Sequence, residues 1–128
     1  MGNFVIFDIR QYESKWCSDR LDSNAFKLVK SMKKLGFVVH YYHNSTKREI
    51  FQALKKHTGG KTDVNAFGCA ICTHGRSDGW LSTFKFQEWI NVSEIKYCLH
   101  QDKAKALLGK PKVLIVQGML SRMLCSNK

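Results

Sequence analysis

Gly109-Lys110-Pro111-Lys112-Val113-Leu114-Ile115-Val116-Gln117-Gly118-Met119-Leu120-Ser121 is the stretch that decides the fold of this 128-residue chain. Val113 to Val116 is a short unbroken apolar run, entered through the only proline and left through a polar Gln-Gly pair. Such a run marks a strand covered on both faces. Moving upstream, Ala66 to Cys72 has the same character and ends at Thr73-His74-Gly75, and Phe4 to Phe7 is a third example. Phe37 to Tyr41 reads as the remaining strand of the set.

Helical patterns lie between these runs. From Asp22 to Leu35 the residues Ala25, Phe26, Leu28, Val29, Met32 and Leu35 recur at helical spacing, and Gly36 supplies a left-handed stop. Thr46 and Glu49 have the form of a capping box, opening a helix that buries Ile50, Phe51 and Leu54 and runs to His57. Ser93 is expected to cap a further helix carrying Ile95, Cys98 and Leu99. Gly79 to Ile90, rich in aromatic and β-type residues, reads as small excursions outside the main sheet. Strand and helix alternate, which predicts a mostly parallel sheet with helices on both faces, a three-layer α/β/α domain. In such sheets functional groups collect beyond the carboxyl ends of the strands. Thr73-His74-Gly75 and Gln117 to Ser121 stand there.

Composition narrows the function classes. A chain that is 44% hydrophobic and 24% charged is an ordinary globule, and its length suits one domain. It contains no apolar run of membrane-spanning length and no secretory signal pattern, so a cytoplasmic protein without a membrane partner is expected. Five scattered cysteines, Cys17, Cys69, Cys72, Cys98 and Cys125, fit reduced thiols better than a disulfide framework. The net charge of +11 attracts anything acidic. Its lysines, among them Lys27, Lys30, Lys33, Lys34, Lys47, Lys55 and Lys56, are interleaved with apolar residues at helical spacing. That is a solvated helix face, and without a nucleic-acid-binding motif it argues against a nucleic-acid partner.

From Phe4 to Ser121 the sequence resembles the large-subunit half of a caspase. Caspases read Ser-His-Gly after the third strand; this chain reads Thr73-His74-Gly75. They read Gln-Ala-Cys-Arg-Gly after a Gly-Lys-Pro-Lys lead and an apolar strand; here Gly109-Lys110-Pro111-Lys112 leads to Gln117-Gly118-Met119-Leu120-Ser121. His74 and Met119 are 45 residues apart, close to the family spacing of about fifty. Leu35-Gly36-Phe37-Val38-Val39 and Thr46-Lys47-Arg48-Glu49-Ile50 are similar to the family's second strand and following helix.

The resemblance places His74 at the catalytic histidine, Gly75 at an oxyanion donor, and Gln117 at a residue lining the pocket for the substrate aspartate. The nucleophile's position is held by Met119. A thioether has no proton to lose and forms no stable acyl intermediate, so covalent catalysis is not expected. Counting back from Leu35, the family's aspartate-binding arginine falls on Ser18, with Arg20 two residues away and Asp22 matching a nearby acidic position. Family members also carry a small subunit that adds strands to the sheet. A single domain spanning 1–128, with neither prodomain nor small subunit, is therefore expected, its edge strand Val113, Leu114, Ile115 and Val116 open to another chain.

The remaining residues of interest have plainer readings. Cys69 and Cys72 are three apart, a spacing that turns them to opposite faces of a strand, so they read as buried structural thiols and not as metal ligands. Cys125 is a poorer replacement nucleophile still. His40, His43, His57 and His100 lack ligand-like spacing and read as surface or boundary residues. Trp80, Phe86 and Trp89 read as local packing ahead of a partner-binding patch. No cofactor or metal is implied. The resulting expectation is a non-catalytic caspase homologue, or pseudocaspase, that regulates apoptotic caspases by contact, through pairing with an active caspase or with a second copy of itself. The alternatives are a decoy for a caspase inhibitor or activator, and a hydrolase combining His74 with Cys72 or Ser121.

Overall fold

A computed structural model describes residues 2–9, 11–12, 15–16, 19–58, 65–73, 78–83, 88–100 and 109–117; for 11–12, 15–16, 19–24 and 117 it describes the backbone alone. Four strands form the central sheet: β1 (Asn3–Asp8), β4 (Val38–His43), β5 (Phe67–Cys72) and β8 (Lys112–Gln117). Their order is β4-β1-β5-β8, and every pairing is parallel. Parallel neighbours need long crossovers, and these are supplied by the helices α1 (Asp19–Lys34), α2 (Lys47–Thr58) and α3 (Val92–Cys98). Two short antiparallel pairs stand apart, β2 (Gln11–Tyr12) with β3 (Lys15–Trp16), and β6 (Trp80–Ser82) with β7 (Trp89–Asn91).

Alternation along the apolar strands builds a core on each face. Phe4, Ile6, Ala70 and Ile115 meet Leu28, Val29 and Met32 of α1. Val5, Phe7, Cys69, Ile71, Leu114 and Val116 meet Ile50 and Leu54 of α2 and Ile95 of α3. The domain is thus the expected three-layer α/β/α sandwich. At Gly68 the fold leaves no room for a side chain: a Cβ there would lie 2.2 Å from the Phe4 ring, which itself meets Phe37 edge-on.

Helix ends follow their sequence signals with two differences. Gly36 adopts φ 96°, its N–H bonds Lys33 O at 3.0 Å, and Phe37 N–H bonds Met32 O at 3.1 Å. That is the Schellman stop, with Phe37 and Met32 in the same apolar cluster. Helix α1 starts at Asp19, three residues ahead of the expected Asp22. The Thr46–Glu49 box forms reciprocally, at 2.9 Å and 3.2 Å. Ser93 does not cap α3; Asn91 does, accepting from Ser93 N–H at 2.9 Å while Glu94 accepts from Asn91 N–H at 2.8 Å. An asparagine oxygen two residues earlier reaches the free amides first, and the serine becomes part of the helix. Phe51, expected in the core, is only half-buried.

Candidate functional site

The carboxyl ends of the four strands lie level with one another. His43, Asp8, Cys72 and Gln117 are successive register partners across β4, β1, β5 and β8. Cys72 lies two residues before His74, and Gln117 lies two residues before Met119. The two segments singled out in the sequence therefore depart from adjacent points on one edge of the sheet. His74, Gly75, Met119, Ser18, Ser121, Cys125 and Phe86 themselves lie outside the described residues, as do the side chains of Arg20, Asp22 and Gln117.

The described residues build a polar floor at this edge. Thr73 is fully buried, and its hydroxyl donates to Ser82 O at 2.9 Å, tying the end of β5 to β6. Thr83 donates likewise to Glu88 O at 2.8 Å, closing the β6–β7 hairpin. Ile9 N–H bonds Cys72 O at 2.9 Å, which holds the chain leaving β1 against β5. Asp8 is fully buried and accepts a short hydrogen bond from the Tyr41 hydroxyl. Asp8 belongs to no sequence motif, though an acidic residue ending the apolar run Phe4-Val5-Ile6-Phe7 is a polar group whose burial demands partners.

The two thiols of β5 are enclosed. Cys72 is 1% exposed, and nucleophilic thiols need access as well as a low pKa. Burial, and after it the neighbouring Cys98 and Cys72, pushes the Cys69 thiol well up from its ordinary range. Trp80 and Trp89 are half-buried in the β6–β7 pair. In β8, Leu114 and Val116 pack into one core and Ile115 into the other, while Val113 is 51% exposed.

One histidine departs from its sequence reading. His57, expected at the surface or boundary, is buried on the inner face of α2, with its Nε2 2.8 Å from the Tyr42 hydroxyl and its ring 4.1 Å from that of His40. His40 from mid-strand β4 and His57 from the last turn of α2 are brought together by the crossover, which spacing along the chain does not reveal. Burial first, then His40 and Lys56, pulls His57 down to about 4; burial and Lys56 also lower His40. An unfolded histidine titrates near 6.5, so between these values the unfolded chain binds more protons. Stability is then full above pH 6.5 and is lost as the pH falls toward 4. A loss of about 1 kcal/mol between pH 7 and pH 5 is expected after screening, read as a fall in Tm of a few degrees. A His57→Gln variant should flatten that slope; an equally steep slope in the variant would remove His57 as its source.

Residues 3–125 match the caspase domain of the peptidase C14 family. The chain belongs to the caspase family. It is 28% identical over 120 residues to caspase-3 of Xenopus laevis, covering 91% of this chain and 42% of that protein. It is 27% identical over 128 residues to caspase-7 of Gallus gallus, covering 91% of this chain and 38% of that one. Against caspase-6 of Mus musculus it is 27% identical over 104 residues, covering 77% and 36%. The chain thus spans about two fifths of the length of these relatives. Its parallel sheet and flanking helices are those of the caspase domain, and among the described residues no helix is long and apolar enough to cross a membrane.

Proposed function

We propose that this chain is a non-catalytic caspase homologue that regulates an active caspase by protein contact. The observation that carries the reading is Met119, two residues beyond the register partner of Cys72, at the position the family gives to its nucleophilic cysteine. A thioether there supports no acyl intermediate, and no neighbouring base changes that. Ser18 in place of the aspartate-binding arginine adds a second defect. The enclosure of Cys72 weighs against the rival hydrolase, which would use that thiol beside His74. Strand β8 is the end strand of the sheet among the described residues, and a second chain can extend a sheet from such a strand. An active caspase or a second copy of this chain is the natural occupant, in the cytoplasm where reduced thiols persist.

The test is a titration of the purified chain into an active caspase, following cleavage after aspartate in a short peptide. A saturable change near stoichiometric ratio is expected, and its direction gives the sign of regulation. A flat rate would remove pairing with that caspase and turn attention to an inhibitor or activator held as by a decoy. The Met119→Cys variant should stay inactive, because the aspartate pocket is still altered at Ser18; robust cleavage by it would overturn the two-defect reading.

A further inference from the structure

A polar pocket of about 350 Å³ opens between α2 and the carboxyl end of β4, the end strand opposite β8. Strand β1 separates this place from β5, whose end leads to His74. One face of α2 forms a wall of the pocket: Glu49, Gln52, Ala53 and Lys56 all line it, at i, i+3, i+4 and i+7. Tyr42 at the end of β4 and Ser45 in the loop after it line the other side. Helical spacing sets an acid and a base at opposite ends. Glu49 and Lys56 are seven residues apart, which is about 10 Å of helix rise.

Ser45 is only 5% exposed, yet among the described residues its hydroxyl has no hydrogen-bond partner. A polar group so nearly enclosed normally finds one. Glu49 Oε1 accepts from Thr46 N–H, and among the described residues no cation pairs with that carboxylate. Lys56 has no carboxylate partner among them either, and both it and Gln52 are exposed. An acidic end alone would suit a cation, and a basic end alone an anion. Both in one pocket select a molecule that carries both charges. We propose that the pocket binds a short zwitterion with its charges about 10 Å apart, its ammonium at Ser45 and Glu49 and its carboxylate at Gln52 and Lys56. A free tripeptide has that length, since an extended chain spans at most about 3.3–3.6 Å per residue. A single amino acid cannot meet both ends. This site goes beyond regulation of a caspase and is measured on the chain alone, so it stands or falls separately from that proposal.

The experiment titrates triglycine into the purified chain and follows its backbone amide signals by NMR, with N-acetyl-triglycine, triglycinamide and free glycine for comparison. Saturable shifts at Ser45, Gln52 and Lys56 are expected with triglycine, and blocking either end should weaken binding about fivefold. In Glu49→Gln the acetylated and free peptides should bind alike, and in Lys56→Gln the amidated and free peptides should bind alike. Glutamine keeps the capping box and Lys56 is exposed, so Tm should hold in both variants. Ser45→Ala should weaken binding with no fall in Tm, because a hydroxyl without a partner contributes no bond to the fold. Blocked peptides that bind as well as triglycine would reduce the effect to bulk charge and overturn the proposal. So would glycine binding as tightly as triglycine, variants that still discriminate the blocked ends, or no saturable shift at all.

Discussion

Phe7→Ala is expected to destabilise the domain by about 3–5 kcal/mol, the range for an aromatic side chain removed from a closed core. Phe7 is 0% exposed, stands in β1 between Tyr42 and Ile71 in register, and stacks on the Tyr42 ring at a centroid distance of 5.4 Å. Its removal empties the middle of the larger core at the point where β4 and β5 flank β1. Against a total stability of about 5–15 kcal/mol, such a loss leaves the folded state marginal or lost at room temperature. Urea unfolding gives the number: the midpoint should fall sharply with the slope kept, as for a lost contact and not a changed unfolded state. A change under about 1 kcal/mol would mean that Phe7 does not occupy the centre of the fold.

The second large effect comes from adding an atom and not removing one. Gly68→Ala places a Cβ 2.2 Å and 2.3 Å from two carbons of the Phe4 ring, well inside contact distance. Phe4 has little freedom to retreat, being 2% exposed and held edge-on by Phe37 at 5.6 Å. Overpacking of this kind costs about 1–3 kcal/mol. Phe4→Val alone opens a cavity and destabilises, but joined to Gly68→Ala it gives the new methyl a place to go. The double variant should be clearly more stable than the sum of the two losses predicts, since residues in contact do not add. Strict additivity would show that the glycine is needed for something other than the ring above it.

Much of the fold can be read from the chain because its strands advertise themselves. Phe4 to Phe7, Ala66 to Cys72 and Val113 to Val116 are apolar without alternation, which only a strand covered on both faces tolerates, and each became a strand of the parallel sheet. Gly36 and the Thr46–Glu49 box mark helix ends through local chemistry alone, so they too were legible. What escaped depended on pairing across distance. His57 looked like the polar end of a helix until β4 brought His40 and Tyr42 against it. Asp8 acquires its meaning from Tyr41, a residue on the next strand. Gln11–Tyr12 and Lys15–Trp16 carry too few residues for any periodicity, so the β2–β3 pair has no signal in the sequence. In the cap of α3, Asn91 and Ser93 are both competent, and only backbone geometry, with Asn91 at φ −93° and ψ 144°, chooses between them. At the candidate site, register joins the bases of the two signature segments through Cys72 and Gln117.

The order β4-β1-β5-β8 also bears on how the chain reaches its native state. Of the four strands of this sheet β1 is made first, yet one of its partners begins at Val38 and the other only at Phe67, so its two edges are met late and one after the other. Until then Phe4-Val5-Ile6-Phe7 is an uncharged, strand-forming run with both edges unmet, the kind of segment that self-associates. Pairings this distant in sequence also slow folding, because long loops must close before they are rewarded. The centre of the finished sheet is therefore the most exposed point of the nascent one, and expression of this chain should respond to temperature and chaperone supply more than its native stability alone would suggest.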